Sequence, residues 1–162
     1  MRSTTRGRTI VLIVAGLLSS GMAAAAGTGG GTLACPAPHR IVFSAGAYSA
    51  LEATVGWEGE WRSASTQQGP VARFESALVH RDASTGDDKL AACTYETKNG
   101  RLIDMAYYSS SAPGRLGNLV VRLVEPGHWQ PEPGGFLECA GSAQQCRMVP
   151  LRFESLRVRQ IP

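Results

Sequence analysis

Histidines, carboxylates, cysteines and tryptophans are the residues of this sequence that could carry chemistry or binding. The histidines are His39, His80 and His128. No two stand at a metal-ligating spacing such as His-Glu-x-x-His, so no metal site is expected. His80 ends an alternating run and should close a strand, and His39 should lie in a loop. His128 is the most suggestive. Pro126-Gly127-His128-Trp129 would display both rings on an irregular loop, where function concentrates. The simpler account is a loop histidine beside a packing tryptophan. Glu58 and Glu60 alternate with Arg62, and Asp87-Asp88 closes a turn. Glycosidic cleavage needs carboxylates placed apart across a cleft, so surface charge explains these residues more simply. Asp82–Asp88 is too short for a calcium loop. No Gly-x-Ser-x-Gly elbow is present. The expectation is a protein that is not an enzyme and holds no cofactor.

Cys35, Cys93, Cys139 and Cys146 are the four cysteines. Structural zinc uses paired ligands such as C-x₂₋₄-C, and no such pair exists here. An even number of cysteines in an exported chain points to two disulfides, formed in an oxidising compartment. Spacing leaves all three pairings open. The favoured one clips Cys139 to Cys146 around residues 140–145 and ties Cys35, near the mature N-terminus, to Cys93.

Export is legible at the start of the chain. Arg2, Arg6 and Arg8 precede an uncharged apolar run over residues 9–18, and small residues follow, ending Ala24-Ala25-Ala26. This order reads as a signal peptide over residues 1–26, cut before Gly27. The apolar run falls short of the roughly 18 residues of a membrane span, so no stable span is expected after cleavage. A lipoprotein reading, with Cys35 as the lipidated residue, fits less well, because Thr32 stands where a leucine-like residue is wanted. Residues 27–34 read as a flexible lead with nothing to bury, and residues 35–162 as a single β domain. The chain has 16 basic and 13 acidic residues, and three of the basic ones lie in the signal segment. The remaining 13 against 13 is neutral, which argues against a nucleic-acid binder. The expected location is the periplasm, with secretion to the exterior as the alternative.

The candidate sites need a scaffold, and its firmest element is a hairpin over Leu90–Tyr108. Asn99-Gly100 is the dipeptide preferred in a type I′ turn. Val55, Trp57, Gly59 and Trp61 alternate with Glu58, Glu60 and Arg62, as in a half-buried strand. The two indoles on that face are either core or a stacking platform, and core is the simpler reading. Further strands are expected over Arg40–Ser44, Val71–His80, Leu119–Val124, Phe136–Cys139 and Leu151–Ile161, the last with a bulge near Ser155. Pro126–Gly135 should be irregular. The fold class is all-β: a small antiparallel sandwich or partly open barrel, stabilised by disulfides.

The landmarks Cys35-Pro36, Trp57-x-Gly59-x-Trp61, Phe74-x-x-Ala77, Cys93-x-Tyr95, Trp129 and Cys139-x-x-Ser142-x-x-x-Cys146 follow in order. In this the chain resembles a family of short, signal-bearing proteobacterial proteins classed as a domain of unknown function. The resemblance covers Cys35 to about Cys146 and implies a periplasmic, disulfide-bonded β domain without assigned catalytic residues. The tail beyond Val149 exceeds the family pattern.

The functional expectation is a monomer that binds another protein, such as a toxin or a cell-wall hydrolase, as an inhibitor or immunity protein. Its surface would be Ser109–Asn118, including Arg115, with Gly127–Gly135, including His128 and Trp129. The alternative is a module binding saccharide, peptidoglycan or another small ligand on Trp57 and Trp61.

Overall fold

A computed structural model describes residues 31–63, 69–110 and 117–155. Among the described residues, ten strands form one antiparallel sheet: β1 (Val42–Ser44), β2 (Ala47–Glu52), β3 (Gly59–Ser63), β4 (Val71–Arg81), β5 (Asp88–Thr97), β6 (Leu102–Ser109), β7 (Gly117–Leu123), β8 (Gln130–Glu132), β9 (Phe136–Cys139) and β10 (Met148–Ser155). The strand order is β1-β2-β3-β6-β5-β4-β9-β8, and β7 joins β5 to β10.

β5 is where the sheet divides. Along one edge it pairs with β4; along the other, Cys93–Glu96 pair with β6 and Asp88–Leu90 pair with β7. The sheet thus splits into a β6–β3–β2–β1 branch and a β7–β10 branch and does not close. Period-two alternation turns one set of side chains inward from both branches. Tyr48, Trp61 and Met105 of the first branch, Val79 of β4, Tyr95 of β5, and Leu119, Val121 and Met148 of the second branch all lie in one hydrophobic cluster. Edge-on ring contacts extend the packing, with centroids 5.4 Å apart for Trp61–Tyr107 and 5.5 Å for Phe74–Tyr95. The buried Tyr95 hydroxyl donates to the Pro36 carbonyl at 2.7 Å, and burial raises its pKa.

The disulfides pair Cys35 with Cys93 and Cys139 with Cys146. The first fixes the N-terminal segment to β5, and the second closes the turn after β9. The expectation of a lead with nothing to bury does not hold at Leu33. Its side chain is fully buried, and its backbone N–H and C=O exchange hydrogen bonds with Met148. Lipidation of Cys35 would remove Leu33 and occupy the sulfur that bonds Cys93, so the lipoprotein reading does not fit this structure.

Other differences have local causes. The Lys98–Gly100 loop is not type I′. Gly100 has φ +75° but Asn99 does not have positive φ. Gly100 N–H bonds Thr97 C=O, Thr97 N–H bonds Arg101 C=O, and the buried Thr97 hydroxyl accepts from Arg101 N–H. That is a three-residue loop, a type I turn followed by a left-handed glycine. The two positive φ angles of a type I′ turn occur instead at Ala45 (51°) and Gly46 (81°), between the paired Ser44 and Ala47. Pro126–Gly135 is more regular than expected, with a 3-10 turn at Pro126–His128 and then β8. β8 is the outermost strand, where a proline such as Pro131 is tolerated because its missing donor can face away from the ladder. β10 carries a bulge between Pro150 and Arg152, and residues 156–161 of the strand expected over Leu151–Ile161 lie outside the described residues. No helix among the described residues is long and apolar enough to cross a membrane.

Candidate functional site

The sequence candidates do not converge. His39 sits exposed in the Pro38–Arg40 turn, and His80 meets Phe136 edge-on across the β4–β9 pair. His128 is exposed, with Nδ1 3.1 Å from the Glu125 carboxylate, which also takes Arg147 at 2.9 Å. Trp129 turns the opposite way and is buried in the core cluster, so the loop does not display both rings. No group of three or more histidine, cysteine, aspartate or glutamate side chains among the described residues is placed to hold a metal. Arg115 lies outside the described residues.

Trp57 and Trp61 do not form a platform. β3 begins at Gly59, so the expected strand is shorter, and Val55 is 84% exposed at a turn rather than on the core face. Trp61 is fully buried and donates its indole N–H to Glu52 Oε2 at 3.2 Å. Trp57 is half-buried against the core.

The outer face of the β2–β3–β6 branch holds an open groove of about 830 Å³. Strand register assembles it. Because Tyr48 and Ala50 face inward, Leu51 must face outward. Glu60 stands opposite Leu51 on one side and Tyr108 on the other. Ala53 and Tyr108 extend the apolar lining, and Leu51 is 73% exposed. Arg62 lies 6.0 Å from the Tyr108 ring centroid and is bound to Glu60 at 2.6 Å; that hydrogen bond, with the glutamate's charge, raises the guanidinium pKa.

The groove carries three carboxylates, each held locally. Glu52 accepts from the Thr54 N–H and hydroxyl and from Trp61, and Glu60 accepts from Arg62. Backbone N–H groups of Glu58 itself and of Gly56 hold the Glu58 carboxyl below its ordinary pKa.

The loop bearing Glu58 is pinned from behind. Tyr107 Oη donates to the Trp57 carbonyl at 2.6 Å, and Ser110 donates to the Glu58 carbonyl from its N–H and its hydroxyl at 3.0 and 2.8 Å. Gly59 permits this close approach: a Cβ there would stand 2.3 Å from the Tyr108 carbonyl oxygen and 2.8 Å from Tyr107 Oη.

Sequence reasoning named the 109–118 segment but missed Leu51, Ala53 and Tyr108. The outward phase of Leu51 was the available signal. Its proximity to Tyr108 depends on a long-range register that local pattern does not contain.

Residues 30–149 match the family described as Protein of unknown function (DUF3757). The chain belongs to this family. The DUF3757 match takes in both disulfides, the division of the sheet at β5 and every residue of the groove, and it ends inside β10. No curated protein and no solved structure matches the chain.

Proposed function

We propose that this chain is an exported, non-enzymatic protein-binding domain that acts in the periplasm and docks its partner in the β2–β3–β6 groove. Two disulfides suit an oxidising compartment. The observation that carries the reading is Leu51: an aliphatic side chain 73% exposed on the wall of an open groove whose neighbouring loop is already held in place. A surface ordered before binding loses less entropy on association. An inhibitor of a secreted hydrolase or an immunity protein would use such a surface. The saccharide alternative lacks its two-indole platform, since Trp61 is buried.

The test is capture of a partner from periplasmic extract by the chain beginning at Gly27, in parallel with Leu51→Asp. Leu51 is exposed, so the substitution leaves folding intact. A stoichiometric protein retained by wild type and lost by Leu51→Asp supports the proposal. A partner retained equally by both refutes the groove, and no partner for either refutes the protein-binding reading.

A further inference from the structure

We propose that the groove selects a cationic, partly apolar protein segment, one presenting arginine or lysine beside an aliphatic side chain. This rests on the reading of the groove as a protein-docking surface and adds what it docks.

Charge is the first argument. Glu52, Glu58 and Glu60 line the groove against a single guanidinium, Arg62, which Glu60 already engages. Arg40 reaches the rim but is tied to the Leu51 carbonyl at 2.9 Å and is not part of the lining. Beyond Arg8 the chain is balanced, 13 basic residues against 13 acidic, so a local excess of carboxylate is not a general property of the molecule. An anionic ligand would be repelled here. A bare metal ion would compete with donors that Thr54, Trp61, Gly56 and Arg62 already supply.

Apolar surface is the second. Leu51 is one of five large hydrophobic residues of the described chain that are exposed, and it lies on the groove wall. With Ala53 and Tyr108 it gives aliphatic and aromatic surface beside the carboxylates. A cationic side chain with an apolar stem or neighbour satisfies both halves at once.

Preorganisation is the third. The Glu58 backbone is fastened by Ser110, and the Glu58 carboxylate by Gly56 N–H, so the negative charge is in position before a partner arrives.

The probe is a blocked hexapeptide alternating leucine with arginine, and its counterpart with glutamate for arginine. Each is titrated into the isotope-labelled chain beginning at Gly27 at low ionic strength. The arginine peptide is expected to shift the amides of Leu51, Gly59, Tyr108 and Ser110, and the glutamate peptide to leave them unmoved. Glu58→Gln combined with Glu60→Gln should weaken the arginine peptide about fivefold, the size expected for two exposed ion pairs. Salt at about 0.5 M should bring wild type close to that variant, because exposed charges are screened. Equal shifts from both peptides at these amides would overturn the charge selection and leave groove docking standing. Shifts from neither peptide would overturn both readings.

Discussion

Removing the Cys35–Cys93 disulfide should destabilise the fold nearly twice as much as removing Cys139–Cys146. All four cysteines are at most 3% exposed, so replacing either pair with alanine loses similar packing. The difference lies in the loops closed, 58 residues against 7. Loop-closure entropy in the unfolded chain gives about 4.2 kcal/mol for the long loop and about 2.4 kcal/mol for the short one. The assay is equilibrium urea unfolding of Cys35→Ala/Cys93→Ala and Cys139→Ala/Cys146→Ala, both partners being removed so that no thiol is left to exchange. With a slope of ~1.5 kcal/mol/M, the midpoints should fall by about 2.8 M and about 1.6 M. Equal falls, or a larger fall for the short clip, would refute the reasoning. They would mean that the clip stabilises by holding β9 and its turn in the native state rather than by limiting the unfolded chain.

The other predictions concern single residues. Ala45→Gly should raise stability by about 0.5 kcal/mol, because Ala45 has positive φ and glycine takes that region freely; a lower urea midpoint would count against it. Gly59→Ala should cost about 2 kcal/mol and disturb the groove amides, since its Cβ would collide with the backbone of Tyr108 and the hydroxyl of Tyr107; wild-type stability would contradict the packing described. Tyr95→Phe should cost about 1 kcal/mol by leaving the Pro36 carbonyl without its donor, as read by thermal unfolding. Asp82 accepts hydrogen bonds from Ser84 and Lys89, which hold its carboxyl far below the ordinary range. A depressed folded pKa gives stability that is present above the unfolded value of about 3.9 and is lost as pH falls through the folded value. The gap between wild type and Asp82→Asn should therefore be constant above about pH 5 and shrink on acidification below about pH 3.9; a gap independent of pH would exclude this contribution.

Much of the scaffold was legible where pattern is local. The Val71–His80 alternation, the Phe136–Cys139 run and the two arms around Asn99-Gly100 all became strands. The spacing of Cys139 and Cys146 favoured the short clip that the structure contains. Failures came where one signal serves two geometries or where tertiary context decides. Asn-Gly fits both a type I′ turn and a type I turn ending in a left-handed glycine, and the Thr97 hydroxyl helps set the second. Ala45 carries no turn signature, yet short pairing of β1 with β2 forces it to positive φ. Val55 continues the apolar alternation of Trp57 and Trp61, but the chain must reverse there, so it points to solvent. Pro131 reads as a breaker until its strand is known to be an edge. The groove was least legible because Glu60 joins Leu51 to Tyr108 through two separate strand pairings.

The most direct test of the central claim is photo-crosslinking in living cells, with benzoylphenylalanine in place of Leu51 and, separately, in place of Leu102. Both residues are exposed, at 73% and 61%, but only Leu51 lines the groove. The account predicts a discrete protein adduct from position 51 and none from position 102. Adducts from both positions, or from position 102 alone, would contradict the groove as the docking surface, and the absence of any adduct would contradict protein binding itself.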